Sequence, residues 1–261
     1  MKPQVFGTKE WADTTVNCIN GCEHRCRYCY AAHRATRFNR CTYEEWGTSF
    51  YHVRPKDIRK SAKKLDDGTV MFPSSHDVTP RFLDACLEVI MKHLAVGNRM
   101  LIVSKPHPEC IYTICTKCKD YKNQILFRFT IGAFDDEILS LWEPGAPSFW
   151  KRKECLIHAF HQGYATSVSC EPMLDGTNVC HLFHSLEEYI THSFWIGKLN
   201  DIEKRVHDVP EKEVQRIIDG QTDERIREIY EELKDQPKIR WKESFKAVLG
   251  LDMPAEPGLD I

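Results

Sequence analysis

Residues 14–30 read Thr14-Thr15-Val16-Asn17-Cys18-Ile19-Asn20-Gly21-Cys22-Glu23-His24-Arg25-Cys26-Arg27-Tyr28-Cys29-Tyr30. The β-branched run over 14–19 predicts a strand. That strand leads straight into three cysteines, Cys22, Cys26 and Cys29, spaced C-x3-C-x2-C. A helix-like stretch follows from Ala31 to about Phe38. Strand, cysteine loop and helix make one βα unit.

The same alternation repeats outward. A second strand is expected over Thr69–Phe72. In the helix that follows, Thr79 is placed to cap, Pro80 suits the first turn and Gly97 marks the end. Phe82, Leu83, Cys86, Val89, Ile90 and His93 share one face of it. Further strands are expected over Arg99–Ser104, 124–131, Ala165–Cys170 and 193–196. Helices between them are expected over 108–120, from a Ser148 cap to Gly163, and over 178–190. Six βα units in series predict an α/β fold, a partial (β/α)6 TIM-like barrel with its helices outside. Barrel enzymes carry their chemistry at the C-terminal ends of the strands, where the cysteine loop falls. Beyond residue 201 charges dominate through 235, with Ile217, Ile218, Ile226, Ile229 and Leu233 as the apolar minority. The expected division is a core over 1–200 and a charged helical C-terminal extension over 201–261. Its more apolar stretch, 239–250, packs back on the core.

Composition narrows the class. The 261 residues are 42% hydrophobic and 28% charged, ordinary for a globular protein. Lys plus Arg number 36 against 38 Asp plus Glu, a net charge of −2. This argues against a strongly basic nucleic-acid binder while leaving room for a local basic groove. No stretch has the apolar core of a signal peptide or the length of a membrane helix. The expected location is cytoplasmic, with no membrane partner. Twelve cysteines in so long a chain suit a reducing compartment, where clustered cysteines are metal ligands and scattered ones are small core residues.

Thiolates hold iron–sulfur clusters, and a cubane normally takes four. Three cysteines leave one iron open to bind a further molecule. The spacing fits paired zinc motifs poorly. Cys18 falls inside the strand pattern and is assigned to the core. Cys110, Cys115 and Cys118 lie on a buried helix stripe with Ile111, Ile114 and Tyr121, although C-x4-C-x2-C also has the form of an auxiliary cluster motif. His158/His161 and His181/His184 are expected as plain helix residues.

The motif Cys22-x3-Cys26-x-Tyr28-Cys29 after a first strand resembles the radical S-adenosylmethionine (radical SAM) superfamily. Residues 14–200 resemble more closely its spore photoproduct lyase and DNA repair photolyase-like branch. Asn17 to Tyr30 is similar to that branch's cluster loop, and Val103-Ser104-Lys105 to its (S/T)K signature. Phe129-Thr130-Ile131 matches its fourth strand, and Glu143-Pro144-Gly145-Ala146-Pro147 with Arg152 its EPG-x(n)-R segment. The resemblance implies a [4Fe-4S] cluster on Cys22, Cys26 and Cys29, with S-adenosyl-L-methionine as cofactor. It implies an enzyme that cleaves this cofactor reductively and abstracts hydrogen from a substrate. The expected cofactor contacts are Tyr28, Ser75, Asp77, Lys105, Thr130 and Arg152. Lys105 is assigned to the cofactor's carboxylate. Tyr30 is the candidate for radical relay, and His76 the candidate general acid or base.

Two positions depart from the branch. Ser74 aligns with the cysteine that donates hydrogen in the photoproduct lyases, and a serine O–H bond is far too strong for that role. Gly132 stands where the family often has a polar side chain. The resemblance makes a nucleic-acid base a plausible substrate, and Arg25, Arg27, Arg34, Arg37 and Arg40 supply phosphate-binding charge or a solvated helix face. The reductant would be of the flavodoxin or ferredoxin kind. The alternative from another class is a zinc- or cluster-stabilised binding protein without catalysis. Substrate identity and oligomeric state are not legible in the sequence.

Overall fold

The computed structural model describes residues 5–258. Nine strands are numbered in chain order: β1 (Thr14–Thr15), β2 (Ile19–Asn20), β3 (His52–Val53), β4 (Thr69–Phe72), β5 (Arg99–Ser104), β6 (Ile125–Thr130), β7 (Ala165–Cys170), β8 (Phe194–Ile196) and β9 (Ile239–Trp241). Among the described residues, seven of them form one parallel sheet in the order β1-β4-β5-β6-β7-β8-β9. The sheet stays open between β1 and β9, so the fold is the partial α/β barrel expected.

The strand expected over 14–19 divides in two. At Asn17 the chain leaves the sheet: its side-chain oxygen accepts the amides of Ser74 and Ser75, each at 2.8 Å. Beyond it β2 pairs antiparallel with β3. Thr79 does not cap. Its hydroxyl bonds Tyr51 instead, and a 3-10 turn over Pro80–Phe82 precedes the Leu83–Ala95 helix. Ser148 does cap, accepting the amide of Lys151 at the start of the Phe149–His161 helix.

Strand alternation sorts the sheet into two faces. Val70, Phe72, Ile102, Phe127, Phe129, Val168, Phe194 and Ile196 are fully buried beneath the helices. The opposite, concave face carries Met71, Leu101, Val103, Leu126 and Trp195, packed with Trp11 and Ala12. Arg128 sits on this face with its guanidinium 4.7 Å from the Trp11 ring centre and 5.4 Å from that of Trp195.

Six strands were expected and the sheet has seven. Ile239–Trp241, from beyond residue 200, pairs with β8 in register Phe194↔Ile239 to Ile196↔Trp241. The division at 200 therefore does not follow the sheet. Lys242, directly after β9, spans the open edge: its Nζ lies 2.6 Å from Glu10 Oε1 and 3.0 Å from the carbonyl of Gly7. The helices Glu211–Asp219 and Asp223–Leu233 bury Ile217, Ile226, Ile229 and Leu233 in the main core. No helix among the described residues is long and apolar enough to cross a membrane.

Candidate active site

A cavity of about 630 Å³ opens at the C-terminal ends of the strands, within the range of small-molecule cofactor sites. The cysteine loop, the segment after β4, Lys105 after β5, Thr130 on β6 and Ser169 on β7 all border it.

All twelve cysteines are free thiols. Cys22, Cys26 and Cys29 all line the cavity, and Cys29 also caps the Tyr30–Arg37 helix by accepting the amide of Ala32. Burial pushes all three thiols up, and the Cys22 thiol is raised further by Asp77 and Cys26. Lys105 works against this rise at Cys26 and Cys29 without overcoming it. A metal displaces those protons, because thiolates that would repel one another are stabilised by coordination. Among the described residues, the set with three ligand atoms all within 4.8 Å of one another is Cys22, His24 and Asp77, not the three cysteines. Cys110, Cys115 and Cys118 are buried on or just after the Pro108–Lys117 helix, as the apolar stripe requires.

Gly21 opens the cysteine loop at φ +72°, where a Cβ would stand 2.3 Å from the carbonyl of Trp46. Gly145 presses on the same loop from the other side. Its amide donates to the carbonyl of His24 at 2.9 Å, and an added Cβ would stand 2.2 Å from that of Glu23. This is the reason for glycine in the Glu143-Pro144-Gly145 segment. Gly145→Ala is expected to cost about 1–3 kcal/mol through overpacking and to lower iron retained per chain after reconstitution. Denaturant midpoints and iron analysis measure the two effects.

Asp77 organises the polar wall. Its Oδ1 accepts from Ser104 Oγ at 2.8 Å and from the Lys105 amide at 2.7 Å. Its Oδ2 lies 2.9 Å from His24 Nδ1 and 3.8 Å from both Cys22 Sγ and Lys105 Nζ. Burial alone would raise its pKa, but Lys105 and His24 hold it well below the usual carboxylate range. Asp77 borders the cavity while both of its oxygens also face protein groups. Lys105 keeps donors to spare: its ammonium has that one long ion pair, stands 5.8 Å from the Tyr28 ring centre and borders the cavity. Burial works against its charge, while Cys26, Asp77 and Glu143 hold its pKa raised.

His76 borders the cavity with both ring nitrogens engaged. Its Nε2 accepts the Cys18 amide at 3.2 Å and its Nδ1 faces the carbonyl of Asp77 at 3.0 Å. Both ring nitrogens tether backbone. Ser75 borders the cavity with its amide held by Asn17. Tyr30 is 42% exposed at the rim, and its hydroxyl donates to the carbonyl of Ser74. Tyr28 is buried and its hydroxyl donates to Glu143.

Arg152 is corrected from cofactor contact to brace. It is fully buried away from the cavity lining, paired with Glu143 at 2.5 Å. Its Nε donates to the Pro147 carbonyl at 2.7 Å and its Nη1 to that of Thr130 at 3.2 Å. It reaches the site only through Thr130 and, by way of Glu143, through Tyr28.

Three contributors went unread in the sequence. Ser169 pairs in register with Thr130, and its hydroxyl is buried at the cavity with no hydrogen-bond partner among the described residues. A buried orphan hydroxyl facing a cavity is what a bound ligand satisfies. Its place at the end of a strand was the available signal. His24 and His107 are the others: their Nε2 atoms lie 2.8 Å apart. Burial and the neighbouring His24 lower the His107 pKa from 6.5 to about 4. Between those values the unfolded chain takes up a proton that the folded protein refuses, so stability falls as pH drops through that window. The loss is expected to reach about 3 kcal/mol across it. Urea midpoints of metal-free protein at pH 7 and pH 5 check this, with His107→Gln expected to flatten the slope.

No protein-family model matches the chain. A curated relative, the uncharacterized protein ORF301 of Acidianus two-tailed virus, is 27% identical over 184 residues. The match spans 65% of this chain and 58% of that relative's length. Solved structures align over more of this chain. Spore photoproduct lyase complexed with dinucleoside spore photoproduct superposes with a TM-score of 0.57 at 14% identity, over 92% of this chain and 79% of that one. A double mutant of that lyase, with bound AdoMet and dinucleoside spore photoproduct, gives 0.54 at 15% identity, over 92% and 78%. Streptococcus suis SuiB bound to S-adenosylmethionine gives 0.55 at 8% identity, over 93% of this chain and 53% of that one. Sheet order, strand direction and superposition agree that this chain has the partial-barrel fold of spore photoproduct lyase and SuiB, the fold implied by the resemblance to the radical SAM superfamily.

Proposed function

We propose that the protein is a radical SAM enzyme in which Cys22, Cys26 and Cys29 hold a [4Fe-4S] cluster. The observation that carries this reading is that the three cysteines of the C-x3-C-x2-C loop all line one cavity at the mouth of the barrel, beside Lys105 and the Ser169 hydroxyl, unpartnered among the described residues. Held by three protein thiolates with one iron open, such a cluster would supply the electron for reductive cleavage of S-adenosylmethionine and so the means of abstracting hydrogen from a substrate.

The chain's own residues divide the remaining work. Lys105 holds the cofactor's carboxylate with its spare N–H donors. Ser169, with Thr130 beside it, offers hydroxyls to the cofactor's polar groups. Asp77 positions Lys105 and the cysteine loop from behind. Met71, Val103 and Trp11 give the cavity apolar walls that keep water from the reacting centre. Tyr30 remains the relay candidate, because its hydroxyl meets Ser74, the position of the hydrogen-donating cysteine in the lyases.

Arg34, Lys198 and Arg205 also border the cavity. Basic groups at the rim suit an anionic substrate, in keeping with a base carried on a phosphate backbone. A small flavodoxin- or ferredoxin-type protein would supply the electron. A non-catalytic, metal-stabilised protein has no use for a cavity of this size beside its metal ligands.

The test uses anaerobically reconstituted full-length protein with dithionite and S-adenosylmethionine, reading 5′-deoxyadenosine. Wild type is expected to form it, and Cys26→Ala to form none while keeping its circular dichroism. Equal yields from both proteins, or no iron–sulfur cluster formed when iron and sulfide are supplied without zinc, would overturn the reading.

A further inference from the structure

The geometry points to a second metal site that shares one ligand with the cluster: Cys22, His24 and Asp77 form a zinc-type divalent-cation site. Their ligand atoms lie within 4.8 Å of one another, with Cys22 Sγ 3.8 Å and His24 Nδ1 2.9 Å from Asp77 Oδ2. A tetrahedral zinc with bonds of about 2.0–2.3 Å spaces its ligand atoms roughly 3.3–3.6 Å apart. The two distances to Asp77 Oδ2 lie within a few tenths of an ångström of that spacing. Thiolate, imidazole and carboxylate are zinc's ordinary ligand types, and three of them leave a fourth position for water. Cys22 and Asp77 border the cavity, from which the ion and its water would enter.

The outer partners already stand where a metal needs them. Metal-bound histidines donate their other ring N–H to a fixed acceptor, and bound carboxylates accept hydrogen bonds on their free oxygen. His24 Nε2 faces His107 Nε2 at 2.8 Å, a ring nitrogen placed to accept. Asp77 Oδ1 is held by Ser104 Oγ and the Lys105 amide, so the ion would take Oδ2, which now faces His24 Nδ1 at 2.9 Å and the Lys105 ammonium at 3.8 Å. On binding, the His24 proton moves from Nδ1 to Nε2 and the His107 proton from Nε2 to Nδ1. Cys22 alone releases a proton to solvent, and no electron is transferred.

Cys22 cannot serve both groups, so zinc and the cluster exclude each other. The site is a metal-selective gate on cofactor loading: zinc-filled chain is closed to cluster assembly. It needs neither S-adenosylmethionine nor catalysis, and it stands or falls apart from the proposed enzyme function.

The experiment loads metal-free, full-length protein with one equivalent of Zn²⁺ or Co²⁺ under reducing conditions, without iron. Zinc X-ray absorption on wild type is expected to show one sulfur at about 2.3 Å and three nitrogen or oxygen ligands at about 2.0–2.1 Å. Three sulfurs would mean that the cluster cysteines hold the ion, and would overturn the proposal, as would failure to bind zinc. Asp77→Asn, His24→Gln and His107→Gln are expected to weaken zinc binding ten-fold or more. Cys26→Ala is expected to bind zinc as wild type does. The reverse pattern, loss in Cys26→Ala with the other three unchanged, refutes the site. Because the wild-type spectrum counts sulfurs directly, a variant that misfolds does not decide the question. If reconstituted wild type makes no 5′-deoxyadenosine yet shows the one-sulfur spectrum, the enzyme reading fails and the zinc site stands.

Discussion

Replacing Arg152 with methionine is expected to destabilise the protein by about 3–5 kcal/mol, the range for removing one partner of a buried ion pair. Arg152 and Glu143 are both fully buried and 2.5 Å apart. Burial works against the Glu143 carboxylate, yet Arg152 and Lys105 hold its pKa below the usual value. Without the guanidinium, the Glu143 charge is left with Lys105 and the Tyr28 hydroxyl, and the carbonyls of Pro147 and Thr130 each lose a donor. Folded protein then favours protonated Glu143, so the loss shrinks as pH falls toward the carboxylate range. The double variant Glu143→Gln/Arg152→Met is expected to recover part of the stability, since it removes the stranded charge along with its partner. Urea denaturation of the two variants and wild type measures both terms. A loss below about 1 kcal/mol in the single variant would show that the pair braces nothing. The same variant tests the correction made to this residue: a brace lowers stability and disturbs the Tyr28 side of the cysteine loop, whereas a mere cofactor contact would leave the metal-free protein as stable as wild type.

Legibility followed the length of the local signal. The strands Thr69–Phe72, Arg99–Ser104 and Ala165–Cys170 match expectation to the residue, because each is an apolar or β-branched run fenced by turn residues. β9 was missed because it is three residues long, has Lys238, Arg240 and Lys242 interleaved with its apolar residues, and exists as strand only through its pairing with β8. Asn17 shows how a tertiary contact cuts a local pattern: nothing in the β-rich run 14–19 announces that its side chain will hold the backbone of Ser74 and Ser75. At the site, residue types could be read but not their partners. Lys105 borders the cavity, where the strand-end rule puts it. His76 and Arg152 were assigned outward roles that depend on spare hydrogen-bonding capacity, and the fold consumes that capacity in backbone carbonyls, a backbone amide and Glu143. Asp77 gathers donors from residues 24, 104 and 105, a convergence visible only once β4 and β5 lie side by side. Ser169 is the converse case, an ordinary strand serine whose interest lies in the partner it lacks.

Trp195→Ala is expected to cost about 3–5 kcal/mol, as large aromatic truncations in a packed core do. Trp195 is fully buried on the concave face of the sheet, edge-on to Trp11 with ring centres 5.7 Å apart. Its indole N–H donates to Ser193 Oγ at 3.1 Å. Arg128 and Lys242 stand 5.4 and 5.8 Å from its ring centre, so two buried cations lose an aromatic face along with the packing. Trp195→Phe keeps a ring there and is expected to lose less than half as much, read as denaturant midpoints at constant slope. The consequence reaches the site. Trp195 pairs in register with Ser169, and Trp11 itself borders the cavity. The tryptophan pair with Arg128 fills the interior of the barrel beneath the reacting end, and the alanine void would join that dry layer to the cavity. Water entering there reaches the Ser169 hydroxyl from below and competes for the hydrogen bond a cofactor would make. Trp195→Ala is therefore also expected to weaken S-adenosylmethionine binding in conditions where the fold persists, while Trp195→Phe leaves it near wild type. Equal cofactor affinity in both variants would confine Trp195 to stability and separate the barrel's inner plug from its chemistry.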